Sequence, residues 1–362
     1  MVKSKPRQDK STFCFYRPDK NNFDLIRVGL AFIVLLVHAA ALSKYSSLSP
    51  ILDIFSAEIA VKSFFVISGF LIFMSYEKSN SISLYLSKRI RRIYPAYALV
   101  IIVSTLFGLI YTSVPIQEYL SFTTLKYLIS NLLFLNFLQP NLPGLFTENP
   151  IAAVNGALWT LKIEVIFYAL VPIIVMAFSR IGRMKVIIGI YVLSLLYSYA
   201  LFYLYEFYKY SFLAELQHQL PGQLTFFMMG ASGYYYFEYF KKYSFYFLGA
   251  GVFFLLMFRN FLIWNIFEPA VLLILILFLA TRFYYLGNLN RYGDFSYGIY
   301  ILHFPVLQTL ISLHLFKNSH WVFLFASGAT VISLSFLLWH IVEKPFLKNN
   351  SHYLTRGDSG GK

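Results

Sequence analysis

Few side chains in this sequence can do acid–base or anion-binding chemistry, and most of them lie inside apolar runs. In "FDLIRVGLAFIVLLVHAA", residues 23–40, Arg27 and His38 stand eleven residues apart. That is about three helical turns and roughly 16 Å of rise, which puts both on one face of a helix. Such a stripe could run from a membrane surface to beyond the bilayer centre, with arginine suited to phosphate and histidine to proton transfer. A snorkelling arginine and a histidine bonded to a neighbouring helix is the plain alternative. Ionisable residues within spans cost free energy and mark cavities, pathways or partners. The others here are Glu58, Lys62, Lys162, Glu164 and His303, with His340 near a helix end.

Four basic residues, Lys88, Arg89, Arg91 and Arg92, crowd "SLYLSKRIRRIYPAYALV". They fit a phosphate-bearing solute and fit ordinary membrane flanking equally. In "NGALWTLKIEVIFYALVP", 155–172, Glu164 needs a partner. Pairing with His38 would orient the imidazole, as the acid of a catalytic triad does, whereas pairing with Lys62 or Lys162 would be structural. "VKSFFVISGFLIF" carries Lys62, which could bind an anionic group or snorkel, and Ser68-Gly69, which reads first as close helix packing. In "GDFSYGIYILHFPVLQ", Asp294 sits at a cap position, His303 about two turns into the membrane, and Pro305 frees a backbone carbonyl beside it. Taken alone, His303 reads first as a structural histidine. No His-x-x-x-His pair occurs in the spans, so no metal is expected. The single cysteine, Cys14, permits neither an intrachain disulfide nor an intramembrane thiol nucleophile.

The elements that position these residues follow from composition. The 362-residue chain is 58% hydrophobic, 20% aromatic and 13% charged, against about 25% charged in soluble proteins. Apolar runs near 24–43, 57–75, 93–112, 157–178, 186–205, 222–239, 244–261, 266–282, 296–315 and 321–341 predict ten spanning helices. With the amino terminus inside, 23 of the 30 basic residues fall on the cytoplasmic side, so the net charge of +14 reads as topology rather than nucleic-acid binding. The expectation is an all-α polytopic bundle of about ten transmembrane helices with both termini cytoplasmic. A basic leader over 1–22 precedes a membrane domain over 23–347 and a flexible tail over 348–362. The short run 125–138, inside a long outward region 113–156, is expected to lie in the interface or re-enter.

Together these stretches resemble the membrane acyltransferase 3 family, multi-spanning O-acyltransferases that modify bacterial surface polysaccharides and related acceptors. The matching pieces, in order, are "FDLIRVGLAFIVLLVH", "SFFVISGFLI", "KRIRRIYPAY", "LWTLKIEVIFY" and "FSYGIYILHFPV", with "VEKPF" at 342–346 as a family-like ending. The resemblance covers about residues 20–347 and implies a bacterial inner-membrane O-acetyltransferase with acetyl-CoA as cytosolic donor. It implies that Arg27, Arg89 and Arg92 hold the donor, with His38 catalytic and Glu164 its orienter. Lys62, Ser68, Trp159, Tyr297, Tyr300 and His303 are candidates for the acceptor or the oxyanion. Aromatic Tyr119 and Tyr127 could stack on a sugar. The acceptor it implies is a lipid-linked or exported glycan such as O-antigen, capsule or exopolysaccharide. The competing class is a transporter or flippase using Arg27, Lys62 and Glu164 as a pathway.

Overall fold

The structure is a computed structural model that describes residues 21–287, 293–314, 316 and 318–347. The leader up to Lys20 with Cys14, Arg291 and the tail beyond 347 lie outside the described residues. The chain forms α1 (Phe23–Ser43), α2 (Pro50–Ile54), α3 (Ala57–Glu77), α4 (Ile82–Tyr111), α5 (Ile116–Tyr119), α6 (Phe122–Leu132), α7 (Trp159–Ile181) and α8 (Arg183–Tyr208). It continues with α9 (Ser211–Gln217), α10 (Leu220–Tyr235), α11 (Phe237–Phe258), α12 (Trp264–Thr281), α13 (Ser296–Ser312), α14 (His320–Leu338) and α15 (Lys344–Phe346). Among the described residues there is no strand. The described residues of the ten expected runs are mostly helical, with the run 222–239 divided between α10 and α11, and among the described residues seven helices are long and apolar enough to cross a membrane: α1, α3, α4, α7, α8, α12 and α14 with its extension. The protein is a multi-pass membrane protein. Helices α10 and α13, at 16 and 17 residues, are shorter than those seven. Run 125–138 lies in α6, an 11-residue helix too short to span, followed by a 3₁₀ turn.

Local chemistry sets the ends. Ser56 and Ser81 cap α3 and α4 by accepting from the backbone N–H of Ile59 and Leu84, satisfying donors that a helix leaves open. Gly182, at φ +100°, makes the reversal from α7 into α8 that a side chain would strain. Prolines inside spans free carbonyls, and partner side chains take them up. Pro172 releases the Tyr168 carbonyl, which accepts from the Tyr85 hydroxyl at 3.1 Å. Pro305 releases that of Ile301, which accepts from Asn155 Nδ2 at 2.9 Å. Asn155 therefore ties the 113–156 region onto α13, and Asn149 adds a bond to the Gln308 carbonyl at 2.9 Å.

The core is built where backbones touch. A Cβ on Gly69 would meet the Phe227 carbonyl oxygen, and one on Gly230 that of Val66. Helices α3 and α10 thus cross through small residues, the packing expected of Gly69. Phe167 and Phe227 stack beside this crossing at 4.1 Å between ring centroids. Gly69→Ala should overpack it by about 1–3 kcal/mol, seen as a lower melting temperature in detergent with Gly29→Ala, where a Cβ meets nothing within 4 Å, as the neutral control.

Candidate active site

Helices α1 and α13 lie side by side, and two pairs of side chains join them. At the first rung, Arg27 Nη1 is 2.7 Å from Asp294 Oδ2. At the second, His38 Nδ1 is 2.9 Å from His303 Nε2, with the rings stacked at 5.0 Å between centroids. The rungs fall in the same chain order on both helices, so α1 and α13 run parallel. Arg27 and His38 do share one face of α1, and that face meets α13.

The histidine pair has an assignable proton order. His303 Nδ1 is 2.6 Å from the Tyr300 carbonyl, which can only accept, so Nδ1 carries the proton. In neutral His303 the Nε2 is then a lone pair, and His38 Nδ1–H donates to it. His38 Nε2 is left unprotonated, as a general base or nucleophile requires. His303 is fully buried and His38 partly exposed, so His38 is the more accessible of the two.

The expected His38–Glu164 pair is not formed. Glu164 Oε1 instead accepts from the Tyr168 hydroxyl at 2.6 Å, with Ser68 Oγ 3.5 Å away. Tyr168 sits one helical turn beyond Glu164 on α7, so the carboxylate is met by its own helix, and His303 takes the orienting position. The structural alternatives for Glu164 also fail. Lys62 bonds Glu58 at 2.7 Å and the buried Glu268 at 2.8 Å, and Lys162 donates to Gln219 at 2.7 Å.

The first-rung carboxylate does more than bind Arg27. Asp294 Oδ2 also accepts from Arg92 Nη2 at 2.7 Å, and Arg92 Nη1 pairs with Glu343. Asp294 Oδ1 accepts from the Ser296 hydroxyl at 2.6 Å and from its backbone N–H, so Asp294 closes a turn one residue ahead of the cap position, which is Phe295 and not the expected Asp294. Burial opposes ionisation of Asp294, but Arg27 and Arg92 outweigh it and hold its carboxyl well below the ordinary carboxylate range. Glu343 enters because α14 ends in a π-helical turn, Trp339–Glu343, that turns this side chain inward. Arg89 is buried too, donating to Ser75 Oγ at 2.6 Å over the Tyr168 ring.

A narrow cavity of about 80 Å³ lies between α3, α4, α7 and α13. Arg27, Arg89 and Arg92 line it together with Ser68 and Glu164, and Thr160, Tyr297 and Tyr300 also reach it. Tyr300 stands between cavity and histidines, edge-on to His303 at 5.7 Å. Its hydroxyl is 2.8 Å from Thr160 Oγ1, which itself donates to the Ala157 carbonyl, so Tyr300 is the donor in that pair.

Tyr297 lines the cavity, and its hydroxyl donates to the Ile93 carbonyl at 2.9 Å. Other candidates are placed elsewhere. Lys62 and Trp159 do not line the cavity. Lys62 lies over Phe226 of α10, and Trp159 lies 6.5 Å edge-on to His218. A pathway shared by Arg27, Lys62 and Glu164 is therefore not assembled. Tyr119 and Tyr127 are buried, Tyr119 donating to the Thr105 carbonyl, and cannot stack on a ligand from solvent. The residues that sequence reasoning passed over are Asp294 beyond its expected cap role, Glu343, Thr160 and Asn155. The acid inside "VEKPF" was the one available signal, since a carboxylate closing an apolar span needs a cationic partner. Among the described residues no group of three His, Cys, Asp or Glu is placed to hold a metal ion.

An all-helical, multi-pass membrane protein with an arginine-lined cavity, and with a hydrogen-bonded histidine pair that adjoins its Tyr300 wall without lining it, is the class that fold and site define. The chain belongs to the acyltransferase 3 family, since the family model described as an acyltransferase domain matches residues 20–340, and it is a membrane acyltransferase. It is 30% identical over 367 residues to the O-acetyl transferase of Shigella phage Sf6, across 92% of this chain and 98% of that protein. It is 26% identical over 363 residues to nodulation protein 10 of Rhizobium leguminosarum bv. viciae, across 93% and 96%. No solved structure matches the chain.

Proposed function

We propose that the protein is a ten-span O-acetyltransferase of the bacterial inner membrane. It takes acetyl from cytosolic acetyl-CoA and gives it to a hydroxyl of a lipid-linked or exported surface polysaccharide. The relative named O-acetyl transferase supports the acetyl group, and the 23 of 30 basic residues support an orientation with both termini and the arginine end toward the cytoplasm. The observation that carries the chemistry is the proton order Tyr300 carbonyl, His303, His38, which leaves His38 Nε2 free to accept a proton.

In this reading the donor's phosphates stay near the arginine end, with Arg89 as the principal contact, while its thioester arm reaches along the cavity. At about 80 Å³ the cavity must widen to admit that arm, and Tyr300 is the side chain that would have to yield at its inner end. His38 Nε2 takes the proton of the acceptor hydroxyl as the oxygen attacks the thioester carbonyl. The C–S bond then breaks and the departing thiolate receives the proton from His38. Tyr300, by turning its O–H away from Thr160, could donate to the developing oxyanion.

The test is the acetyl content of surface polysaccharide, by NMR, from cells expressing wild type or His38→Ala at matched membrane levels. Acetyl esters with the wild type alone support the reading, and equal acetylation with both refutes it. Arg89→Ala should raise the KM for acetyl-CoA by about 10–100-fold, the worth of a charge-assisted contact of about 1.5–3 kcal/mol, with kcat changed much less.

A further inference from the structure

Three arginines line the cavity, yet the structure engages them differently. Arg27 and Arg92 both close on one carboxylate oxygen of Asp294, and Arg92 also pairs with Glu343. Two guanidinium and two carboxyl groups thus meet at the place where the donor's phosphates were expected. These contacts reach the helices of the histidine pair, because Asp294 lies two residues ahead of α13, which carries His303, and Arg27 lies on α1, which carries His38.

On α1 the step from Arg27 to His38 is eleven residues, and on α13 the step from Asp294 to His303 is nine. The two parallel helices are thus joined at two levels about 14–16 Å apart, with Arg92 of α4 and Glu343 of the π turn bracing the lower one. The histidine hydrogen bond of 2.9 Å survives only at one axial register of α13 against α1. The wall between the rungs is apolar, with Ala31 and Leu35 of α1 packed near Ile299 of α13. Apolar packing slides at small cost, whereas a doubly held carboxylate does not.

We propose that Asp294 is a positioning residue for acyl transfer. It occupies Arg27 and Arg92 as an internal anion, locks α13 to α1 and α4, and so sets the His38–His303 pair. The inference deepens the acetyl-CoA reading and rests on it for the kinetic arm alone.

The experiment compares wild type, Asp294→Asn, Asp294→Glu and Ser296→Ala, purified in lipid nanodiscs, by two measurements. The first is CoA release from acetyl-CoA. Asp294→Asn should lower kcat by about 100-fold, the scale of an ångström misplacement, with KM unchanged or lower because a cationic group is released. Asp294→Glu, which keeps the charge, should recover much of that loss. Ser296→Ala removes one bond to Oδ1 without touching charge, should fold normally, and should lower kcat by several fold at constant KM. It carries the test if Asp294→Asn fails to reach the membrane. The second measurement needs no donor: modification of His303 by diethyl pyrocarbonate, read by mass spectrometry. His303 is buried behind His38 and should be protected in the wild type and react several-fold faster in Asp294→Asn of unchanged helical content. A raised KM at preserved kcat would overturn the proposal, because Asp294 would then orient the arginines for the donor. Unchanged kcat and unchanged protection would overturn it as well, leaving the cluster as packing. If the wild type releases no CoA but His303 still becomes exposed, the donor assignment fails and the role of Asp294 stands.

Discussion

His303→Ala should reduce acyl transfer by about 10²–10³-fold in protein that still folds, and His38→Ala should reduce it to background, by about 10³–10⁴-fold. The reasoning follows the proton. His38 accepts through Nε2 only while Nδ1–H has an acceptor, and that acceptor is His303 Nε2. Without it His38 can change tautomer, turn about its side-chain bonds, or both, and the basic nitrogen no longer faces the substrate. His303→Gln places an amide oxygen near the lost nitrogen and should restore part of the rate. Glu164→Gln should cost less than about tenfold, since its carboxylate meets Tyr168 and Ser68 rather than His38. The four variants, assayed together for acetyl transfer at matched membrane levels, separate the two candidate orienters. A Glu164→Gln loss equal to that of His303→Ala would restore the carboxylate as the orienting group.

Arg92→Ala should be the most destabilising single change at the arginine end. The guanidinium is buried and bridges Asp294 and Glu343, themselves buried. Removing it leaves two carboxylates with Arg27 as their remaining cation in this cluster. Breaking a buried pair costs about 3–5 kcal/mol, because a charge is left without compensation. The expected result is a strongly lowered melting temperature in detergent and reduced membrane yield. Arg92→Met combined with Glu343→Leu removes both charges and keeps the volume, so it should recover most of the stability. It should not recover full activity, because Asp294 would be held by Arg27 alone. Equal stability of Arg92→Ala and wild type would show the cluster to be hydrated and its charges to be weakly coupled.

The sequence alone determined much of this protein, for reasons that lie in local chemistry. Runs of apolar residues of about 17 or more specify helices that a bilayer accommodates, and the expected runs fall mostly on helix, seven of the described helices being long and apolar enough to span. The eleven-residue step from Arg27 to His38 needs only helical geometry to place both on one face. Pro305 had to free the Ile301 carbonyl, whatever surrounded it. Gly69 announced a close crossing because nothing but hydrogen occupies that position.

What only the tertiary structure decided was which partner each of these groups meets. Asn155 takes the Ile301 carbonyl from a loop almost 150 residues away in the chain. Glu164, expected at His38, turns to Tyr168 on its own helix, while His303, unremarkable by itself, becomes the group that holds His38. Arg27 and Arg92 read as phosphate ligands, yet the structure sets Asp294 and Glu343 against them, brought there by a turn ahead of α13 and a π turn. Pair identity depends on the rotation and register of whole helices, set by packing summed over many apolar contacts. No short stretch of sequence encodes that sum, which is why the residue types of the site were legible and its bonds were not.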